Sequence, residues 1–369
     1  MAPRLMFLSL MAFTIPFSIA RAQSPTSIGG YGEIHYNEPD GSRKGQLDFH
    51  RFVIFLNHSF TDRLAFRSEI ELEHTKLEAG ESEGGELALE QAFLEYRLND
   101  AIGFRGGILL IPVGIINMVH EPPTFHGVER PAVDNAIIPT TWREAGAGIF
   151  GQITDALSYQ AYVVAGLDAA GFNASSGIRG GRQKAFESST ADPSLTGRLD
   201  YTPLEDLRLG GSFFVGGSAG SNDTIGTATV ALWSADVRAR MDRFALRAVG
   251  ALGTIGDADR INAAYGQNVA QSIVGFSLEG AYDFLPLLAP DTDQELFAFV
   301  RYEKYDTQAK TVGPPLRQFD RENIVLGLTY LPVFNVAVKF DYTFFRNELN
   351  AGSAANTGVL NIGLGYYFY

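Results

Sequence analysis

The sequence predicts an all-β fold, a transmembrane antiparallel β-barrel of sixteen strands, from three observations. Apolar and polar residues alternate with a period of two along most of the chain, which sends one set of side chains to each face of a sheet. The connections between alternating runs are short and long by turns, as in a barrel with tight turns at one end and long loops at the other. The last run sets Leu360, Ile362, Leu364, Tyr366 and Phe368 against Asn361, Gly363, Gly365 and Tyr367, and the sequence stops on the aromatic Tyr369.

Composition agrees with this fold. The chain has 369 residues, 40 glycines, 12% aromatics and no cysteine. A mean hydropathy near zero is what strict alternation yields, because each apolar residue is averaged with a polar neighbour. Residues 1–22 read as a secretory signal peptide. Arg4 gives a positive start, Leu5 to Ile19 is apolar apart from Pro16, and Ala20-Arg21-Ala22 is a small-x-small cleavage site. The apolar stretch falls short of the ~20 residues a spanning helix needs. Residues 23–369 then form a single transmembrane β-barrel domain, and loss of Arg4 and Arg21 takes its formal charge from −13 to −15. So acidic a chain is not a nucleic-acid binder. No later run is long enough for a membrane helix, so a crossing must use strands, and a spanning sheet must close because hydrocarbon offers backbone groups no partner. The location predicted is a bacterial outer membrane, with lipid as the barrel's partner.

The strands fall in order at 27–36, 47–60, 64–76, 86–98, 101–111, 144–152, 157–168, 194–202, 207–217, 228–240, 244–254, 272–284, 294–306, 320–331, 335–346 and 356–369. Most reach the ~9–11 residues needed to cross at a tilt. The third puts Phe66, Ile70 and Leu72 on one face and Arg67, Glu69, Glu71 and Glu73 on the other. The eighth alternates through Arg198 and Asp200, and the tenth through Asp236, Arg238 and Arg240. The twelfth sets Val274, Phe276 and Leu278 against Ser277, Glu279 and Asp283, and the fifteenth sets Val338, Phe340 and Tyr342 against Lys339, Asp341 and Thr343. Two strands alternate less cleanly. Phe49 to Phe55 is apolar on both faces in its middle, and Glu90 falls on the face otherwise given to lipid; a bulge or a loop packed inside the barrel accounts for either. Short connections lie at 61–63, 99–100, 154–155, 203–206, 241–243 and 332–335, with 285–293 longer in the same series. Long ones lie at 37–46, 77–85, 112–143, 169–193, 218–227, 255–271, 307–319 and 347–355.

Particular stretches carry a family resemblance. Leu47-Asp48-Phe49-His50-Arg51-Phe52, Glu69 to His74, Glu121-Pro122-Pro123-Thr124-Phe125 and Ile138 to Glu144 resemble Gram-negative porins related to the phosphate-selective porin O/P group. The terminal aromatic strand resembles the assembly signal of outer-membrane barrels. The resemblance implies a sixteen-stranded barrel, often a homotrimer, that passes small hydrophilic solutes. Phosphate-selective members rely on many basic residues along the pore. Here the lysines are Lys44, Lys76, Lys184, Lys304, Lys310 and Lys339, so the resemblance leaves the solute open.

The longest connection, 112–143, holds Pro112, Pro122, Pro123, Pro131 and Pro139, each of which fixes φ. Its apolar residues, among them Ile115, Ile116, Phe125, Ile137, Ile138 and Trp142, argue for an ordered segment. In sixteen-stranded porins the third long loop commonly folds into the lumen. The same is expected here, with His120, Glu121, His126, Glu129, Arg130 and Arg143 at the constriction. Glu69, Glu71, Glu73, Arg198, Arg238, Arg240, Arg247 and Lys339 are expected to line the pore, since a water-filled passage selects by width and by charge. The early strands offer mostly acids and the later ones a more basic mixture, which predicts two unlike walls.

Other chemistry is not supported. Gly146 to Gly151 fits G-x-G-x-x-G but lies in a strand and opens no helix. Gly216 to Gly220 fits G-x-S-x-G without the strand-to-helix turn a nucleophile elbow needs. All six histidines fall within the first 126 residues without metal-ligand spacing, so no metal or other cofactor is expected. The function expected is a passive diffusion channel and not an enzyme. A barrel lipase or protease, or a closed structural or adhesin barrel, are the rival readings.

Overall fold

Alternation over so many runs requires a sheet with two unlike faces, and the chain forms one by closing on itself. The computed structural model describes residues 25–41, 45–74, 85–220, 222–350 and 357–369. The expected signal peptide, 1–22, lies outside them. The strands are β1 (Thr26–Pro39), β2 (Gln46–Ser59), β3 (Leu64–Glu73), β4 (Glu86–Arg97), β5 (Gly103–Leu110), β6 (Arg143–Thr154), β7 (Leu157–Val164) and β8 (Ser194–Leu204). The second half holds β9 (Leu207–Gly216), β10 (Val230–Met241), β11 (Phe244–Ile255), β12 (Ser272–Asp283), β13 (Glu295–Lys310), β14 (Asp320–Val333), β15 (Val336–Asn347) and β16 (Thr357–Phe368). Each pairs with its sequence neighbours, and β1 pairs antiparallel with β16 from Gly30↔Phe368 to Pro39↔Val359. Closure leaves no strand edge unpaired. The fold is the sixteen-stranded antiparallel barrel that the alternation predicts.

The two faces differ as the pattern requires. Leu94, Phe104, Leu199, Trp233, Leu252, Phe276, Leu326, Phe340 and Ile362 are exposed on the outside. Glu33, Glu69, Arg198, Asp236, Glu279, Arg301, Lys339 and Asp341 are buried inside. Phe60, Tyr96, Tyr201, Phe244, Phe334 and Tyr369 are exposed where the strands meet the short turns, the position of an aromatic girdle.

Both irregular strands contain a bulge. In β2 the pairing steps from Glu33↔Arg51 to His35↔Asp48, so β2 carries one extra residue there. In β4 it steps from Glu69↔Gln91 to Ile70↔Leu89, which skips Glu90. An extra residue re-aims the side chains around it, and Glu90 is fully buried in consequence.

Two boundaries differ by four residues from those the sequence predicts, and the others by less. β13 runs four residues past 306, because Lys310 still pairs with Ser272 of β12. β7 stops at Val164 rather than at 168, because Leu167 and Ala169 join an apolar cluster formed by the long connections. That cluster holds Ile111, Val113, Ile137, Ile138 and Trp142 from one connection, Phe172 and Ile178 from the next, Ile225 and Ile261 from later ones, and Phe93, Tyr162, Phe214 and Ile273 from strands. At about 1.5–3 kcal/mol for each large apolar side chain taken out of water, this cluster orders the long-connection end.

Candidate functional site

The site is built from the inner face of the wall and from residues 111–142, between β5 and β6. This segment is tied to the wall at many points. Its Gly114 carbonyl accepts from Arg198 of β8 at 3.0 Å, and its Gly114 N–H donates to Ser212 of β9 at 3.3 Å. The Val128 N–H donates to Asp341 of β15 at 2.7 Å, and the Ala132 N–H to Glu303 of β13 at 2.7 Å. Arg301 of β13, itself bonded to Glu279 of β12 at 2.8 Å, donates to the carbonyls of His126 and Glu129. The Lys339 ammonium finds no hydrogen-bond acceptor among the described residues and lies 3.7 Å above the Phe125 ring, an attraction worth up to about 2 kcal/mol when desolvated. The backbone of β16 must be bare where the segment crosses it. A Cβ on Gly365 would come within 2.3 Å of Pro122, and one on Gly363 within 3.0 Å of Val128.

The expected constriction residues are placed as follows. His120 is buried between Glu69 of β3, at 3.2 Å, and the bulge residue Glu90, at 3.5 Å. Burial alone would lower the His120 pKa, but the bonds and charges of these carboxylates prevail and raise it to about 10. His126 bonds Glu279 at 2.8 Å and packs on Phe297 and Phe299; here burial prevails and lowers the pKa. Glu129 meets His35 of β1 at 3.1 Å and accepts from Asn37 at 3.0 Å. Glu121 accepts from the Tyr369 hydroxyl at 3.3 Å, at the short-turn end of the barrel. Arg130 reaches the carbonyl of His120. Arg143 opens β6 and lies 3.6 Å from Glu90.

The expected pore-lining residues divide between the two ends. Glu73 lines a cavity of about 230 Å³ at the long-connection end, with Glu33, His35, His50, Arg51, Glu129, Arg130 and Arg179. Arg238, Arg240 and Arg247 line one of about 470 Å³ at the short-turn end, with Arg208, Glu205, Asp206 and Glu295. Glu69 and Glu71 lie between, with Glu71 3.4 Å from Arg51. Arg198 is buried in a cluster with Asp200 and Asp236, at 2.8 and 2.7 Å.

The two walls are therefore less unlike than the strand sequences suggest. The acids of β1 to β4 are met by Arg51 and by the segment's own His120. Sequence reasoning missed Arg51, Glu90, Arg301 and Glu303 as site residues. Parity marks Arg301 and Glu303 as inward, alternating with Val300 and Tyr302, but nothing local marks a partner some 170 residues away. Glu90 and His50 are hidden by the bulges.

No protein-family model matches the chain. An uncharacterized protein of Aquifex aeolicus (strain VF5) is 39% identical over 343 residues, spanning 88% of this chain and 76% of that one. The outer membrane channel DcaP of Acinetobacter baumannii superposes with a TM-score of 0.62 at 14% identity, over 93% of this chain and 97% of its own. OmpF of Salmonella typhi, solved in complex with daunomycin, gives 0.60 at 12% identity over 93% and 97%. OmpT of Vibrio cholerae, an outer membrane protein solved in a trimer form, gives 0.57 at 13% over 93% and 98%. At such identities the likeness shows the fold alone.

Proposed function

We propose that this chain, which belongs to the same family as the Aquifex aeolicus protein, is an outer-membrane porin, a passive diffusion channel for small hydrophilic solutes or ions. The observation that carries this reading is the closed ring of sixteen strands, apolar outside and charged inside, with a cavity at each mouth. Hydrocarbon suits such an outer face, and water with solutes suits such an interior.

On this reading residues 111–142 enter the barrel and narrow it. The support is their reach. The segment departs at the long-connection end after Leu110, yet Glu121 meets Tyr369 and Pro123 lines the cavity at the short-turn end. It also binds β8 and β9 on one side and β13, β15 and β16 on another. His120, His126, Glu129 and Arg130 then face the narrowest part of the passage, and the charges at its two mouths set ion preference.

The protein is no enzyme on this reading. Its histidines are engaged by carboxylates at His35, His50, His74, His120 and His126, and by the Thr26 hydroxyl at His58. Assembly as a homotrimer is part of the proposal, by analogy with the trimer form of the Vibrio protein. The test is single-channel recording of purified protein in planar bilayers, followed by liposome swelling with sugars, phosphate and dicarboxylates. Discrete conductance steps are expected. A folded barrel that never conducts would defeat the reading and leave a closed structural barrel.

A further inference from the structure

We propose that Asp48, His50 and His74 form a binding site for a divalent transition-metal ion of the copper and zinc class at the long-connection mouth. Sequence spacing gives no hint of it, because one histidine lies on β2 and the other just past the end of β3, and His50 is re-aimed by a bulge. Asp48 and His50 belong to β2, at the step where the pairing gains a residue. Without that residue, side chains at 48, 50 and 51 could not all point inward, since 50 and 51 would alternate. His74 follows β3 directly, and its N–H donates to the His50 carbonyl at 3.0 Å. Its φ of 50° is left-handed, a region that non-glycine residues rarely adopt.

The result is a convergence of three potential ligands. The Nδ1 atoms of His50 and His74 lie 3.1 and 2.6 Å from one and the same Asp48 oxygen. One ligand atom from each residue falls within 4.8 Å of the other two. Tetrahedral ligands at ~2.0–2.1 Å from a zinc ion stand about 3.3 Å from one another, so small side-chain rotations admit an ion between them. Two imidazoles with one carboxylate favour copper, zinc or nickel over calcium or magnesium, which prefer all-oxygen shells.

The surroundings favour binding as well. Side-chain exposures of 21%, 31% and 53% for His50, Asp48 and His74 leave an approach and a fourth position for water. The His35 ring stacks on His50 with centroids 4.6 Å apart and 15° between planes. His35 is held in turn by Glu33 and Glu129, each at 3.1 Å. It is a positioning residue that fixes the plane of a ligand, as outer partners do in metal sites. A second group, Glu69, Glu90 and His120, also converges. It is wholly buried and serves as an internal comparison.

The inference does not depend on channel activity, and its test has no transport readout. Tag-free protein folded in detergent is titrated with Zn²⁺ and with Cu²⁺ by calorimetry, and the Cu²⁺ form is examined by electron paramagnetic resonance. One ion per chain is expected, with hyperfine structure from two imidazole nitrogens. His50→Ala and His74→Ala should each weaken binding by about 10–100-fold or more and remove one nitrogen coupling. Asp48→Asn should weaken binding and keep both couplings. His120→Ala should bind as the parent does. The proposal is overturned if the parent binds neither ion, if both histidine variants bind unchanged, or if His120→Ala alone abolishes binding. Unaltered thermal unfolding of His50→Ala, His74→Ala and Asp48→Asn separates loss of the site from loss of the barrel.

Discussion

The two mouths of the barrel are built from the same alternation and differ in what meets the inward side chains. At the long-connection end the cavity is the smaller, and its charges are drawn together: Glu33 with Arg51 and His35, and Glu129 with His35 and Asn37. At the short-turn end the cavity is about twice as large. There Arg208, Arg238, Arg240 and Arg247 face Glu205, Asp206 and Glu295, and the Arg238 Nε has no acceptor among the described residues. The difference has a simple cause. Residues 111–142 bring Glu129 and Arg130 to the smaller cavity, whereas in the larger one Arg208 pairs with Asp200 and Arg240 with Glu295 within the wall, and Arg238 is left open. A chain of net charge −13 thus presents cations in its wider cavity, so overall charge is a poor guide to the pathway.

The most severe way to break this contrast is to remove the segment that creates it. Replacing residues 116–137 by a short glycine-serine linker should leave the strand ladder intact, since its bonds run between neighbouring strands. Single-channel conductance should then rise several-fold, as the passage between the two mouths widens. Conductance equal to that of the parent would exclude the segment from the pathway.

A gentler break is the latch at His120. Removing one partner of a buried charge pair costs about 3–5 kcal/mol, because the other charge stays buried. His120→Ala leaves Glu69 and Glu90 in that condition, and should lower the thermal unfolding midpoint at neutral pH. The pH dependence has a definite sign. The folded pKa of about 10 lies above the ordinary histidine value of 6.5, so the stabilisation is full below about 6.5 and is lost as pH rises through about 10. Parent and variant should therefore differ most at pH 6 and converge toward pH 10. A difference that grows with pH would show that His120 is neutral in the folded barrel.

How much of this is legible in the sequence follows from where each signal is stored. Strand number, order and inward faces are written locally: Glu71, Lys339 and Asp341 each sit between apolar neighbours, and period two suffices to turn them inward. The bulges are written nowhere so plainly. One extra residue reverses the parity beyond it, so Glu90 reads as an outward residue and is fully buried. The pairings of 111–142 are less legible still. Composition shows that the segment is ordered, through Ile137, Ile138 and Trp142, but Arg301 meeting the carbonyl of Glu129 spans 172 positions. Only closure of the ring brings such residues together.

The smallest expected effect tests the contrast most directly, because it asks whether the unlike charges of the two mouths act on ions. A unit charge about 8 Å from an ion in water is worth roughly 0.5 kcal/mol, or about a twofold change in preference. Arg238→Ala should therefore shift the reversal potential in a salt gradient toward cations by about that factor, and adding Arg208→Ala should extend the shift. Glu73→Gln at the other mouth should move it toward anions. Salt must be kept low, since the Debye length falls to ~8 Å near 0.15 M and screens just these distances. Arg198→Ala is the comparison: its charge is taken up by Asp200 and Asp236, so loss of the guanidinium strips Asp236 of its partner while Asp200 keeps Arg208 at 2.9 Å, and should favour cations more than Arg238→Ala does. Equal shifts from Arg198→Ala and Arg238→Ala would mean that paired and open arginines act alike, and that the segment's partners leave the field along the passage unchanged.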